Sequence, residues 1–191
     1  MNDRLDSVRQ SIHHFLDRTR PAPVRIISAC AGDGRDLLGA LAIRDDAGRV
    51  TGLLVEYDVT LAARARATAD GLAAHLTVTC ADAADAAIYA DAAPADLVLM
   101  CGVFGNISDR DIKRTIEALP QLCATDAQVV WTRHRAEPDV TPRVRKWFLE
   151  AGFEEISFVA PDGDTWSVGT HRFAGERQPL EPADHWFTFV R

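Results

Sequence analysis

Three stretches of this chain combine residue types that can hold a nucleoside-like ligand. The first is Ser28-Ala29-Cys30-Ala31-Gly32-Asp33-Gly34-Arg35-Asp36. Its small residues let the backbone come close to a ligand, and a helix opening just beyond it offers free N–H groups. The second is Glu56, followed by Tyr57 and lying roughly 20 residues past the glycines, where a carboxylate can accept from both hydroxyls of a ribose. The third is Cys80-Ala81-Asp82-Ala83. Asp82 can accept from an adenine amino group while the neighbouring N–H of Ala83 donates to a ring nitrogen. Each stretch also has a plainer reading: a tight strand-to-helix turn, a solvated acid and a loop cap. Asp58 and Thr60 read as caps of the helix that follows Glu56. A dinucleotide fingerprint framed on Gly32 and Gly34 needs a third glycine where Leu37 stands, and the phosphate-cradling GxxxxGK[ST] loop is absent.

Two further segments carry groups for chemistry on a second substrate. Cys101-Gly102-Val103-Phe104-Gly105-Asn106 ends in an amide that can orient a substrate or close a turn before Ser108. Thr132-Arg133-His134-Arg135 places an imidazole between two guanidinium groups. His134 is suited to general-base work near neutral pH, and Arg133 and Arg135 to pairing an anionic acceptor. The competing reading is a solvated polar loop. His171 falls in an apolar extended run and reads as a packed histidine, while His13 and His14 read as partly exposed on a leading helix. No His, Asp and Glu set has metal-ligand spacing, and no G-x-S-x-G elbow is present.

The elements needed to position these residues alternate regularly. Leu5, Val8, Ile12, Phe15 and Leu16 recur at helical spacing, so a helix over 3–18 leads the chain and Pro21 and Pro23 stop it. Apolar strands are expected over 24–29, 51–55, 76–80, 96–101 and 127–132. Helices are expected after the glycine turn, over 60–73, from Ser108 to Leu119, and from a Thr141 cap with Pro142 at the first helical position. The tail reads as extended over 155–159, 168–173 and 186–190. Five strand-then-helix units and a strand-rich finish imply an open, mostly parallel α/β sheet with helices on both faces. The whole chain, 1–191, reads as one domain, with 1–20 as its leading helix.

Composition narrows the partners. The net charge is -7, with arginines scattered among acids, so attraction to nucleic acid or an anionic membrane is not favoured. No apolar run approaches the roughly 20 residues of a membrane span. Cys30, Cys80, Cys101 and Cys123 form no CxxC pair and read as free thiols of a cytoplasmic protein.

Taken together, these features resemble the class I S-adenosylmethionine-dependent methyltransferases, from about Val24 onward. The residues that carry the likeness are Cys30-Ala31-Gly32-Asp33-Gly34, Glu56, Asp82, the run from Asp96 to Gly102, and Ala151-Gly152-Phe153. The resemblance implies a Rossmann-like sheet in the order 3-2-1-4-5-7-6 with an antiparallel inserted strand, and S-adenosyl-L-methionine as cofactor. It places Gly32 and Gly34 along the cofactor, Glu56 at the ribose, Asp82 and Ala83 at the adenine, and Cys101 and Gly102 near the sulfonium. Arg35 stands where it can reach a carboxylate. Cys30 replaces the first glycine of the family's turn, and Ser28 the acid two positions earlier. Nucleobase methyltransferases carry two prolines and an aromatic residue after strand 4, and this chain does not. Methyl transfer to a small-molecule acceptor is therefore the expected activity, in a pocket left open or completed by a second subunit of a homodimer. A cofactor-binding sensor or accessory subunit and a nucleotide-linked oxidoreductase are the alternatives.

Overall fold

A computed structural model describes residues 3–190. Its centre is a seven-stranded sheet in the order β3-β2-β1-β4-β5-β7-β6. The strands are β1 (Val24–Ala29), β2 (Val50–Glu56), β3 (His75–Cys80), β4 (Ala95–Met100), β5 (Cys123–His134), β6 (Phe153–Val159) and β7 (Trp166–Phe173). The first five run parallel, and β7 lies antiparallel to both β5 and β6. The order 3-2-1-4-5 is shared with dinucleotide-binding sheets, but an antiparallel strand between β5 and β6 is not part of that pattern.

Alternating side chains of the strands supply two separate cores, one on each face. On one face α1 (Asp3–Arg18), α2 (Leu37–Leu41) and α3 (Val59–Ala69) cover Ile26, Leu54 and Leu97. α1 contributes Val8, Ile12, Phe15 and Leu16, the helical stripe expected from the sequence. On the other face α4 (Asp109–Ala118), α5 (Thr141–Glu150) and a 3₁₀ turn over Ala86–Tyr89 cover Ile27, Val98, Met100 and Trp131. Side chains cap two of these helices as their sequences suggest. Asp58 accepts from the N–H groups of Thr60 and Leu61, and Ser108 from that of Asp111.

Besides α3 stopping at Ala69 and β5 running on to His134, the structure departs from the sequence expectation in three places. β5 begins at Cys123, because a bulge opposite Ala95–Leu97 and a left-handed Asp126 let the chain pair before the apolar run starts. Thr141 is the first residue of α5 and not its cap; its own N–H is satisfied by Asp139 Oδ1 at 2.8 Å. The tail over 186–190 forms no sheet strand. It crosses the helical face instead: Trp186 N–H donates to Ala84 O at 2.9 Å, and Val190 N–H to Asn106 O at 2.9 Å. The Trp186 indole stacks on Tyr89 at 5.5 Å, filling the space beside a 3₁₀ turn too short to cover the sheet alone. No helix among the described residues is long and apolar enough to cross a membrane.

At the antiparallel end, His171 is fully buried against Phe148 (ring centroids 4.3 Å apart) and accepts a hydrogen bond from Trp131 Nε1 at 3.1 Å. Burial lowers its pKa to about 4, with Arg145 opposing its charge and Glu155 favouring it. The folded value lies below the ordinary 6.5, so the unfolded chain binds the extra proton in between. Stability should therefore be lost as pH falls from about 6.5 towards 4, by up to about 3 kcal/mol from this group. Urea unfolding at pH 7 and pH 4.5 checks this: His171→Gln should show the shallower pH dependence, and equal slopes would contradict the assignment.

Candidate functional site

The strand order reverses between β1 and β4, which leaves a crevice at their carboxyl ends where open α/β sheets take ligands. The chain leaves β1 through three left-handed residues, Cys30 (φ 55°), Gly32 (φ 60°) and Gly34 (φ 74°). Glycine suits that conformation; cysteine adopts it only under constraint. The three residues have different jobs. A side chain on Gly34 would collide with Leu38 and Leu54, so Gly34 seats the turn on the core. A side chain on Gly32 would meet nothing within 4 Å, so that backbone faces open space. Gly102, just past β4, is likewise left-handed (φ 82°) and open.

Glu56 holds this turn in place. Its Oε2 accepts the N–H of Gly32 and its Oε1 that of Asp58, each at 2.8 Å. One carboxylate thereby ties the turn after β1 to the start of α3. Each oxygen still has accepting capacity for a further donor. Asp82 caps its own loop by accepting from Ala84 N–H at 2.9 Å, and Ala83 O accepts from the buried Tyr89 hydroxyl at 2.7 Å. Glu56 and Asp82 both lie close enough to Cys30 to disfavour its thiolate. Burial first, and then these two carboxylates, push the thiol up to about 12.

A pocket of about 300 Å³ opens over the turn. Of the residues that carry the family likeness, Cys30, Ala31, Gly32, Asp33, Cys101 and Gly102 line it. Arg4, Leu5 and Val8 of α1 line it too, with Arg35, Asp36, Leu61 and Thr132. Helical periodicity marks Leu5 and Val8 as apolar, but nothing local shows that this end of α1 overhangs the crevice. Asp36, two residues past the last glycine, carries the one local signal that could have been used. Glu56, Asp82 and Ala83 stand along the neighbouring strand ends outside this pocket, and Tyr57 is 74% exposed.

The groups considered for a second substrate are placed differently. His134 is exposed at the last position of β5, with its ring against Gly105, and does not line the pocket. Asn106 donates from Nδ2 to Gly102 O at 2.7 Å and so closes its own loop. Arg133 donates to Phe104 O and sits 3.8 Å from Asp109, while Arg135 donates to Pro161 O (2.7 Å) and Asp164 O (2.8 Å). Both guanidinium groups are thus engaged in tying loops together. Arg35 is held by Asp33 through a two-pronged ion pair that also lowers the Asp33 carboxyl. Thr132 supports the other wall by accepting from Gly102 N–H at 2.9 Å.

No protein-family model and no curated protein sequence matches the chain. Solved structures do. It is similar to a magnesium protoporphyrin IX methyltransferase from Synechocystis PCC 6803 with bound S-adenosylmethionine, at TM-score 0.68 and 11% identity over 89% of this chain and 79% of that one. A TehB-like S-adenosylmethionine-dependent methyltransferase from Corynebacterium glutamicum matches at TM-score 0.61 and 15% identity, over 85% and 86%. A carbon methyltransferase, CurJ, matches at TM-score 0.66 and 12% identity, over 90% of this chain and 54% of that one.

The burial of the thiols gives a direct check on this site. Cys80 is exposed, whereas burial raises Cys30, Cys101 and Cys123. Brief treatment of the folded protein with iodoacetamide at pH 8 should modify Cys80 first and leave the other three until unfolding. Mass mapping of the labelled peptides reads this out, and fast labelling of Cys30 would contradict the described turn.

Proposed function

From the class I S-adenosylmethionine-dependent methyltransferase fold that the chain has, we propose that it binds S-adenosyl-L-methionine and transfers the methyl group to a small-molecule acceptor. The observation that carries the reading is the crevice itself. A left-handed turn leaves open space over Gly32, Glu56 braces it, and the loop after β4 faces it through Gly102. Such a site fits a ligand with an adenosine end and an amino-acid end. Glu56 would take the ribose hydroxyls, Asp82 and Ala83 the adenine, and Cys30, Ala31, Asp33, Cys101 and Gly102 the part beyond the ribose.

When bound, the donor supplies a methyl group on a sulfonium that leaves as a neutral thioether. The protein's contribution is alignment. Thr132 and Asn106 hold the two sides of the loop that begins at Gly102, so they position the wall facing the donor. A hydroxyl or ammonium acceptor must also lose a proton. His134, two residues beyond Thr132 and against Gly105, is the group we assign to receive it. The net charge of -7 supports a small acceptor over a nucleic acid.

Calorimetry with S-adenosylmethionine, S-adenosylhomocysteine and NAD on one sample tests the donor. The first two should bind and the third should not. Glu56→Ala should weaken S-adenosylmethionine binding by about 1–3 kcal/mol, because the ribose hydroxyls lose a charged acceptor, and Asp82→Ala should cost less. Unchanged affinity in a folded Glu56→Ala protein would overturn the placement. Once an acceptor is identified by incubating a metabolite extract with labelled donor, His134→Gln should keep donor affinity and lower turnover by roughly tenfold or more. Parent turnover across the pH profile would leave alignment as the whole of catalysis.

A further inference from the structure

Away from the crevice, α1 carries a second polar stripe. Ser11, His14 and Arg18 stand three and four residues apart, so they share one side of the helix. That side overlooks the β6 end of the sheet. Beneath it, Gln128 of β5, Thr170 of β7 and Ser157 of β6 lie on three adjacent strands. These six residues line a pocket of about 180 Å³. It is distinct from the donor crevice, where α1 presents Arg4, Leu5 and Val8. A bulge in β6 builds its floor. The pairing of β6 with β7 slips between Glu155 and Ser157, which leaves Ile156 extra and sets Ser157 opposite Thr170. In unbroken register Ile156 would stand there instead. Thr170 is 4% exposed, and its hydroxyl donates to Ser11 Oγ at 3.4 Å, joining floor to helix.

The chemistry of the lining points one way. Each of the six polar side chains carries a donor, and none is an acid. Acids on the same elements are engaged elsewhere: Asp17 with Arg44 at 2.9 Å, and Glu154 and Asp126 with Arg172 at 2.6 and 2.5 Å. Among the described residues, His14, Arg18 and the Gln128 amide have no hydrogen-bond or ion-pair partner. In a chain of net charge -7, an acid-free pocket with an imidazole and a guanidinium on one wall selects for an anion. Its volume is below the roughly 300 Å³ at which pockets for whole drug-sized ligands begin, so it takes a small ion or a headgroup. We propose that this pocket binds a phosphate group between the α1 stripe and the β5–β7–β6 floor. Arg18 supplies the charged, planar donor set and His14 a second donor from the same helix. The Ser157 and Thr170 hydroxyls and the Gln128 amide reach the oxygens on the opposite side. A tetrahedral oxyanion presents acceptors to both walls at once, which a planar carboxylate does not. The proposal is independent of the methyl-donor reading.

The test follows the backbone amide spectrum of the isotope-labelled chain during titration with sodium phosphate, glycerol phosphate, sodium acetate and sodium chloride at constant ionic strength. Phosphate should give saturable shifts centred on Ser11, His14, Arg18, Gln128, Ser157 and Thr170, with a Kd of about 1 mM or tighter. Chloride should give none, and acetate should bind about tenfold more weakly or not at all. Tighter binding of glycerol phosphate than of phosphate identifies a headgroup as the occupant, and the reverse a free ion; either result supports the site. Arg18→Gln should weaken phosphate by about tenfold, whereas Arg64→Gln, the same charge change at an exposed position of α3, should stay within about twofold. Both positions are exposed on helices, so the fold should survive, and a thermal melt verifies it. The wild-type map decides the matter if a variant does not fold. Shifts that fail to saturate, that chloride or acetate reproduces, or that fall outside the pocket would overturn the proposal. So would parent affinity in a folded Arg18→Gln protein, or equal loss in Arg64→Gln.

Discussion

One carboxylate, that of Glu56, sets the geometry on which the site depends. It closes β2, reaches across to the N–H of Gly32, and holds the N–H of Asp58 at the head of α3. Beside it, the turn after β1 has its own Ala31–Gly34 hydrogen bond, Ala31 N–H donating to Val55 O, and Leu38 N–H donating to Gly34 O. The strain at Cys30 is tolerated because its neighbours are constrained on both sides: Ala31 by β2, and Gly34 by Leu38 and Leu54. Placing an acid between two backbone donors fixes its orientation before any ligand arrives.

The two faces of the sheet do different work around that point. Charge reaches the crevice from Arg4 of α1 and from Asp33, Arg35 and Asp36 of the turn before α2, with Arg9 of α1 bonded to the Arg35 carbonyl. The opposite face is aromatic. Trp131, Phe148 and His171 stack in one cluster, and Trp186 closes another on Tyr89. The tail that carries Trp186 touches both the loop of Asp82 and the loop of Asn106 through backbone hydrogen bonds. Two loops that border the crevice are thereby held by one segment from the far end of the chain. Arg114 adds to this by donating to the Trp186 carbonyl at 2.7 Å.

Charged residues in this protein are engaged more with the backbone than their surface positions suggest. Arg133 lies near the end of β5 and Arg135 just past it, yet their partners include the carbonyls of Phe104, Pro161 and Asp164. A guanidinium with five donors satisfies several loop carbonyls at once, which stabilises loops too long to pair in a sheet.

Periodicity, turn residues and caps along the chain were enough to specify the five parallel strands, the amphipathic stripe of α1, the caps at Asp58 and Ser108, and the glycine turn with Glu56 and Asp82 at neighbouring strand ends. These are local properties: apolar spacing and turn chemistry act over a few residues. The placement of β7 between β5 and β6 was legible only through resemblance, because strand order is not written in any single segment. Other features belonged to tertiary structure alone. The overhang of Arg4 and Leu5 depends on where α1 docks, more than 20 residues from the turn it covers. The last segment alternates like a strand, but a short 3₁₀ turn left an apolar surface at Tyr89, and covering that surface outweighed joining an edge of the sheet.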